Sequence, residues 1–193
     1  MTLLALLRHA PTQWNIEGRV QGRHDPPLAA DAPYDYRLPP ELDGFRWLSS
    51  PLRRARDTAR RLGIAAPVIE PRLVEMSWGA WEGRCLAELR AQLGDAMAEA
   101  EAQGLDFRPP SGESPRDLQG RLRPLLAEIA EAGEPVGAIT HKGVIRAVLG
   151  LASGWDMRCK QPHRLDWRSA HLFRLDRSGH PEIARLNLAL ASR

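Results

Sequence analysis

The feature that most constrains the fold is a short apolar run over residues 3–7, which ends abruptly in Arg8 and His9. A brief apolar run before a turn is typical of a parallel strand that is buried on both faces. Ligands of open α/β sheets bind at the carboxyl ends of such strands. The run therefore predicts a binding edge at which a guanidinium can hold an anion and an imidazole can attack it.

The segment SSPLRRARDTA, residues 49–59, predicts a helix over 51–62. Ser50 followed by Pro51 matches an N-cap with proline at the first helical position. Arg54 then lies in the first turn, beside the helix end that attracts anions. The alternative is an arginine-rich solvated face, which we expect for four neighbours: Arg53, Arg56, Arg60 and Arg61.

Two further segments supply a carboxyl group and a second imidazole. Glu75 stands among leucine, valine, methionine and tryptophan residues at 73–81. Apolar surroundings favour the neutral form of a carboxyl group, so Glu75 could stay protonated and act as a general acid. The alternative for Glu75 is a salt-bridged loop residue. His141 follows an apolar strand over 136–140 and precedes an amphipathic helix over 143–153, so it repeats the setting of His9.

Together these segments resemble the histidine phosphatase superfamily, also known as the phosphoglycerate mutase-like fold. The family pattern has an RHG-type triplet, a Trp-Asn pair and a Gly-Arg-x-Gln-Gly segment, and this chain has WN at 14–15 and GRVQG at 18–22. It also has the family's SSPLxRAxxTA helix start, its Leu-x-Glu…Gly-x-Trp-Glu-Gly loop and a GES segment at 112–114. These motifs occur in the family's order from about residue 4 to residue 187.

The resemblance implies a covalent mechanism without a metal or other cofactor. His9 would be the nucleophile that forms a phosphohistidine, and Glu75 would protonate the leaving oxygen. The transferring phosphoryl group would be surrounded by Arg8, Arg54 and His141. These roles suit phosphoryl transfer, which depends mainly on positioning and on compensation of charge at the equatorial oxygens. Guanidinium groups bind phosphate through two parallel hydrogen bonds, as such a site requires.

The resemblance also implies less direct contacts with substrate from Asn15, Gln21 and Gly22. Lys142 follows His141 directly, at a position where most relatives have glycine. Its side chain either points into solvent or brings an ammonium to the mouth of the pocket. In the second case it would favour substrates that carry a second negative group.

The chain departs from the family pattern at several positions. Ala10 replaces the usual glycine of the triplet, and Pro11 stands where an acidic residue is common. The segment between residues 28 and 49 is shorter than in relatives and contains Pro33, Pro39 and Pro40, which argue against a regular helix. We therefore expect one flanking helix to be lost or reduced. None of these changes removes a residue assigned to the chemistry.

The order of elements predicts an α/β fold, a three-layer α/β/α arrangement with a mostly parallel sheet, in a single domain over 1–193. Further expected elements are strands at 45–49 and 67–70, a helix over 84–103, a helix over 115–132 kinked at Pro124, and a hairpin over 165–187. Residues 82–110 occupy the place of the family's substrate cap. This cap is short, and between residues 82 and 107 it has six acidic side chains against two basic ones. Family mutases have a longer insert with extra basic residues, so the short cap favours hydrolysis.

Composition narrows the classes of protein to which the chain could belong. The chain has 193 residues, 43% hydrophobic and 26% charged, as expected of one soluble domain. Its net charge is only +3 and its arginines are dispersed, which argues against a nucleic-acid partner. Cys85 and Cys159 are far apart and indicate free thiols. No apolar stretch approaches the ~20 residues of a membrane span, so we expect a cytoplasmic protein without a membrane partner.

The sequence thus predicts a metal-independent phosphomonoesterase that acts on a small phosphorylated molecule. Chain length makes α-ribazole phosphatase one candidate. Two alternatives stay open. A phosphoglycerate mutase would return isomerised phosphoglycerate, and a phosphate-binding regulator that has lost turnover would release no phosphate.

Overall fold

A six-stranded sheet forms the centre of the fold in a computed structural model that describes residues 1–30 and 34–192. The strands of the chain are β1 (Thr2–Arg8), β2 (Tyr36–Arg37), β3 (Arg46–Ser49), β4 (Val68–Ile69), β5 (Val136–Thr140), β6 (Ser169–Leu175), β7 (Pro181–Ala189) and β8 (Ala191–Ser192). The large sheet has the order β4-β3-β5-β1-β6-β7, while β2 and β8 pair separately.

Four strands of this sheet are parallel, and the predicted hairpin adds two antiparallel ones. β1 pairs with β5 in parallel, and β5 pairs with β3 in the same sense. The hairpin of β6 and β7 extends the sheet beyond β1. β5 is buried along its whole length, as expected of the apolar run VGAIT with helices on both faces. The predicted mostly parallel sheet is confirmed.

Helices cover both faces of the sheet. They are α1 (Gln13–Ile16), α2 (Arg53–Arg61), α3 (Leu86–Leu93), α4 (Asp95–Ala102), α5 (Pro115–Ala132) and α6 (Lys142–Ser153). Alternate residues of β1 point to opposite faces. Leu4 and Leu6 pack in the core that contains α5 and α6, whereas Ala5 and Leu7 pack in the core that contains α2. The result is the expected three-layer architecture, in which none of the described helices is long and apolar enough to cross a membrane.

The start of α2 differs from the prediction. The helix begins at Arg53 after Leu52, not at Pro51 after a Ser50 N-cap, and the Leu52 side chain makes no cap hydrogen bond. The reason is that Ser50 Oγ is hydrogen-bonded to His141 Nε2 at 2.7 Å. It also accepts a bond of 3.3 Å from the Leu52 amide.

Two other helix predictions are revised. The helix expected over 84–103 is two helices, because Gly94 takes φ 49° and ψ −124° between α3 and α4. The helix over 115–132 is present as one 18-residue element that continues through Pro124, and the kink there stays a prediction.

The segment after β1 lacks a long helix within its described part. It contains α1 and a 3₁₀ turn at Pro40–Leu42, in agreement with the expected loss of a flanking helix. Pro33 lies outside the described residues. Helix α1 was not predicted, although Thr12 and Asn15 form a capping box, a motif readable from sequence.

Candidate active site

The carboxyl ends of β1 and β5 bring the two predicted histidines together. Arg8 is opposite Thr140 in the register, and the amide of His9 donates to the Thr140 carbonyl at 2.9 Å. The rings of His9 and His141 lie 5.2 Å apart between centroids, at an interplanar angle of 55°. Adjacent parallel strands therefore place both imidazoles at one edge of the sheet.

His9 has a defined tautomer. Its Nδ1 is 2.7 Å from the carbonyl oxygen of Ala10, and because a carbonyl can only accept, Nδ1 carries the proton. Burial lowers the pKa of His9 well below its usual value, and the positive charges of Arg8 and Arg54 lower it further. The ring is therefore neutral, and Nε2 has a free lone pair.

His141 has no exposed surface and is anchored through one nitrogen only. Its Nε2 bonds to Ser50 Oγ, while its Nδ1 is buried with no hydrogen-bond partner. Burial lowers the pKa of His141 well below its usual value, with Arg54 as the next cause. An unpartnered buried ring nitrogen is expensive unless a ligand satisfies it.

Arg54 is fully buried and held by a loop. Its Nη1 donates to the His24 carbonyl at 2.6 Å and to Asp25 Oδ1 at 3.2 Å, and its Nη2 donates to the Gly22 carbonyl at 2.7 Å. Burial lowers its pKa, and the carboxylates of Glu75 and Asp25 oppose that shift. Its Nε has no partner. The guanidinium is thus fixed in place while part of its donor capacity is unused.

Arg8 is held by an aromatic face. Its guanidinium carbon lies 5.9 Å from the centroid of Trp167, and Lys142 Nζ lies 5.3 Å from the same ring. Nε of Arg8 is buried without a partner. Burial lowers the pKa of Arg8, and Glu75 opposes the shift. Two cations therefore share one indole at the edge of the site.

Glu75 lies among polar groups, not in the apolar environment that its sequence neighbours suggested. Its Oε1 accepts from the Met76 amide at 2.8 Å, and its Oε2 accepts from the Gly143 amide at 3.1 Å, in the first turn of α6. A Cβ at position 143 would lie 2.3 Å from Oε1, so this contact requires glycine. The positive charges of Arg8 and Lys142 also act on this carboxyl group.

Arg121 of α5 fixes the backbone on which Glu75 stands. Its guanidinium donates to the carbonyl oxygens of Arg72, Val74 and Glu75, the last two at 2.6 and 3.2 Å. Glu113 bonds Arg121 Nε at 3.1 Å. The bonds from Arg121 to the three carbonyls tie the Glu75 loop to the long helix α5.

Asn15 and Gln21 act on the loop after β1 through a shared partner. Thr12 donates from its amide to Asn15 Oδ1 at 3.1 Å and from its hydroxyl to Gln21 Oε1 at 3.0 Å. The carbonyl of Gly22 binds Arg54, and a Cβ at Gly22 would lie 2.1 Å from Glu82 Oε1. The hydrogen bonds of Asn15, Gln21 and Gly22 therefore organise the loop that surrounds Arg54.

Residues 4–189 match the model of the histidine phosphatase superfamily, branch 1. The chain belongs to this superfamily. It is 36% identical over 163 residues to a 2,3-bisphosphoglycerate-dependent phosphoglycerate mutase of Gloeobacter violaceus, covering 77% of this chain and 74% of that one. It is 33% identical over 162 residues to the glucosyl-3-phosphoglycerate phosphatase of Mycobacterium tuberculosis, covering 75% and 72%. It is therefore an enzyme of the superfamily, a phosphatase or a mutase.

Solved structures agree with this family assignment. Bacillus stearothermophilus YhfR superposes with a TM-score of 0.81 at 28% identity, covering 98% of both chains. A proposed α-ribazole-5′-P phosphatase of Escherichia coli has a TM-score of 0.75 at 22% identity, which shows the fold alone.

A cavity of about 760 Å³ opens beside Glu75 in this member of the superfamily. Lys142, Gly143 and Arg146 of α6 line one side of it, together with Glu75. Lys142 is exposed as a residue, yet partial burial of its ammonium lowers its pKa, and Arg146 and Arg8 add to the shift. Lys142 therefore both lines the cavity and reaches solvent, and its effect on substrate choice stays a prediction.

Four residues of the site were missed by sequence reasoning: Ser50, Arg121, Arg146 and Trp167. Arg146 is four residues after Lys142, so helical periodicity alone could have placed both on one face. Trp167 and Arg121 gave no such signal, because their contacts join segments that are distant in the sequence. In the described part of the chain, no group of three or more histidine, cysteine, aspartate or glutamate side chains is placed to hold a metal ion.

Proposed function

We propose that this enzyme is a phosphatase that hydrolyses small phosphomonoesters through a phosphohistidine at His9. The observation that carries the proposal is the hydrogen bond from His9 Nδ1 to the Ala10 carbonyl at 2.7 Å. It fixes the tautomer, while burial and the charges of Arg8 and Arg54 keep the ring neutral, so the Nε2 lone pair is available beside two arginines. A neutral imidazole with a fixed tautomer is the form of histidine that can act as a nucleophile.

The first half-reaction transfers the phosphoryl group to the enzyme. Nε2 of His9 attacks phosphorus, the ester P–O bond breaks, and protonated Glu75 gives its proton to the leaving oxygen. Arg8, Arg54 and His141 compensate the negative charge on the equatorial oxygens. The buried nitrogens without partners, Nε of both arginines and Nδ1 of His141, are available for this task.

The second half-reaction releases phosphate. Glu75, now a carboxylate, takes a proton from a water molecule whose oxygen attacks phosphorus as the N–P bond breaks. His9 returns to its neutral form, and Glu75 is protonated again. The same carboxyl group thus serves as acid and then as base.

The cavity beside Glu75 supports hydrolysis over mutase chemistry. The relatives are named for both activities, so similarity alone does not choose between them. A cavity of about 760 Å³ is large for a three-carbon acid and within the range of pockets that enclose drug-sized ligands. We propose residues 82–110 as the cap over this cavity, in a single domain formed by the whole chain.

Rapid quenching with labelled substrate tests the proposal. The parent enzyme should accumulate an acid-labile, base-stable phosphoryl adduct, His9→Ala should not, and exposed His180→Ala should behave like the parent. Undiminished turnover in His9→Ala would rule out His9 as the nucleophile. With 3-phosphoglycerate as substrate, release of inorganic phosphate indicates the phosphatase and isomerised phosphoglycerate indicates the mutase.

A further inference from the structure

Two cations of α6 face the cavity without acidic partners. Lys142 and Arg146 are one helical turn apart, and in the described part of the chain neither has a carboxylate within ion-pair distance. Arg146 lies over Trp155, with its guanidinium carbon 5.0 Å from the ring centroid, and its buried Nε has no hydrogen-bond partner. That atom has no accessible surface, so a ligand in the cavity would be bound by the outer nitrogens of Arg146, a lining residue without a carboxylate partner.

The other charges of the cavity are occupied or exposed. Arg90 is paired with Glu101 at 2.6 Å, and Arg158 approaches Asp156 at 4.0 Å. Lys160 also lines the cavity and is exposed, as Lys142 is, but it lies outside α6. The cap is expected to carry a net negative charge, but its one carboxylate in the cavity lining, that of Glu101, is already paired with Arg90. The negative charge of the cap therefore does not offset the two cations of α6.

The remaining walls are apolar. The lining on the cap side and beneath it includes Met76, Trp78, Leu86, Phe107, Leu118 and Met157. Such a wall favours a flat or branched apolar body over a polyol. The cavity thus combines an apolar chamber with a cationic strip on α6.

We propose that this cavity binds the leaving group, and that the enzyme takes phosphomonoesters whose alcohol part joins an apolar body to a carboxylate held by Arg146 and Lys142. The inference rests on the proposed function, since it assigns the substrate class of that site. Lys142 and Arg146 line the cavity without a carboxylate partner, so a carboxylate of the substrate would supply their counter-charge. The planar guanidinium of Arg146 suits a carboxylate, which it can bind through two hydrogen bonds.

Matched aryl phosphates test the charge requirement. Turnover of 4-carboxyphenyl phosphate is compared with that of phenyl phosphate and of 4-carbamoylphenyl phosphate. The carbamoyl ester has nearly the same size as the carboxylate and a more electron-withdrawing substituent, so leaving-group ability does not favour the carboxylate. We expect kcat/KM for the carboxylate to exceed that for the amide by about 10-fold or more, as for a hydrogen bond to a charged group. Arg146→Gln and Lys142→Gln should each reduce this ratio. Arg123→Gln, at an exposed arginine of α5, should leave it unchanged.

A binding measurement separates this inference from the proposed function. Cys159 lines the cavity and is exposed, and Cys85→Ser leaves it as the only thiol of the chain. In that background, 4-hydroxybenzoate should slow alkylation of Cys159 by iodoacetamide more than 4-hydroxybenzamide does. Arg146→Gln should remove the difference, whether or not the protein turns over any ester.

The outcomes are distinct. Equal kcat/KM for the carboxylate and the amide, with no selective protection of Cys159, overturns the inference while phosphatase activity stands. Selective protection without phosphate release from any ester supports the binding site and contradicts the proposed function. Because Lys142 is exposed, Lys142→Gln tests the cationic strip even if Arg146→Gln does not fold.

Discussion

The guanidinium of Arg121 donates a hydrogen bond of 3.2 Å to the backbone carbonyl of Glu75. The same group also binds the carbonyls of Arg72 and Val74, so one side chain fixes the loop that presents Glu75, the proposed general acid. Glu113 in turn orients Arg121. We therefore expect Arg121 to be a positioning residue, which acts on the reaction through Glu75.

Arg121→Gln should lower kcat for alkyl phosphates by about 10-fold to 100-fold, because a misplaced catalytic group loses its alignment. KM should change less, since Arg121 is not among the groups proposed to hold the phosphoryl group. Steady-state kinetics on an alkyl and an aryl phosphate measure both effects. Arg123→Gln on the same helix is the matched control, and a denaturation curve shows whether folding is intact.

The decisive comparison is the double variant. If Arg121 acts through Glu75, Arg121→Gln should reduce kcat little further once Glu75→Gln is present. Additive losses would mean that Arg121 supports the fold in general and has no special link to Glu75.

Glu75→Gln itself should show a leaving-group signature. An alkyl oxygen leaves poorly without a proton, so we expect about 10²-fold to 10⁴-fold slower turnover of alkyl phosphates. Aryl phosphates with good leaving groups should lose far less. A series of esters with graded leaving groups measures the contrast. Equal losses across the series would make Glu75 an orienting residue only.

The neighbourhood of the two histidines could be predicted from the sequence, because it depends on local signals. Each apolar run ends in its imidazole, and parallel strands bring their carboxyl ends to one edge. Buried Arg54 was also found, through its motif. These residues could be identified without knowing any long-range contact other than strand pairing.

Predictions based on local surroundings were less successful. Ser50 has the residue type of an N-cap, but its hydroxyl bonds His141, which is 91 positions away in the chain. The apolar neighbours of Glu75 in sequence are not what its carboxylate contacts. In both cases a tertiary partner, His141 for Ser50 and the Gly143 amide for Glu75, adds to a local backbone bond and could not be read from the neighbouring sequence. Gly94 was a readable signal for the break between α3 and α4, since glycine readily takes positive φ.

Trp167 gives a prediction for phosphate binding. Trp167→Leu removes the aromatic face under Arg8, whose Nε has no hydrogen-bond partner. We expect the affinity for orthovanadate, a phosphate analogue, to fall by about 3-fold to 30-fold, the range of a cation–π contact. Inhibition of ester hydrolysis by vanadate measures it. Trp167→Phe should keep part of the affinity, and unchanged inhibition in Trp167→Leu would show that the indole does not hold Arg8.

Stability should fall as the pH drops below neutrality. Burial lowers the pKa of His9 and of His141 well below the usual value, and it lowers the pKa of His171 to about 4, against the opposing charge of Asp166. In the unfolded chain these groups take up protons near pH 6.5. The unfolded state then binds more protons than the native state, so stability is lost as the pH falls from about 6.5 towards the native pKa values. Between pH 7.0 and 5.5 each histidine should remove about 1 kcal/mol from the free energy of unfolding.

Denaturant unfolding at pH 7.0 and at pH 5.5 measures this loss of free energy. A variant of His171 measures the part of the loss that comes from this one histidine. In His171→Asn the amide oxygen can still accept the hydrogen bond that the Asn187 amide gives to Nδ1 at 3.3 Å, but the side chain no longer titrates. The loss between the two pH values should therefore be smaller by about 1 kcal/mol in His171→Asn, whatever its stability at pH 7.0. His180→Asn, at an exposed histidine, should lose as much as the parent. An identical loss in His171→Asn and the parent would mean that His171 takes up its proton equally well in the folded protein.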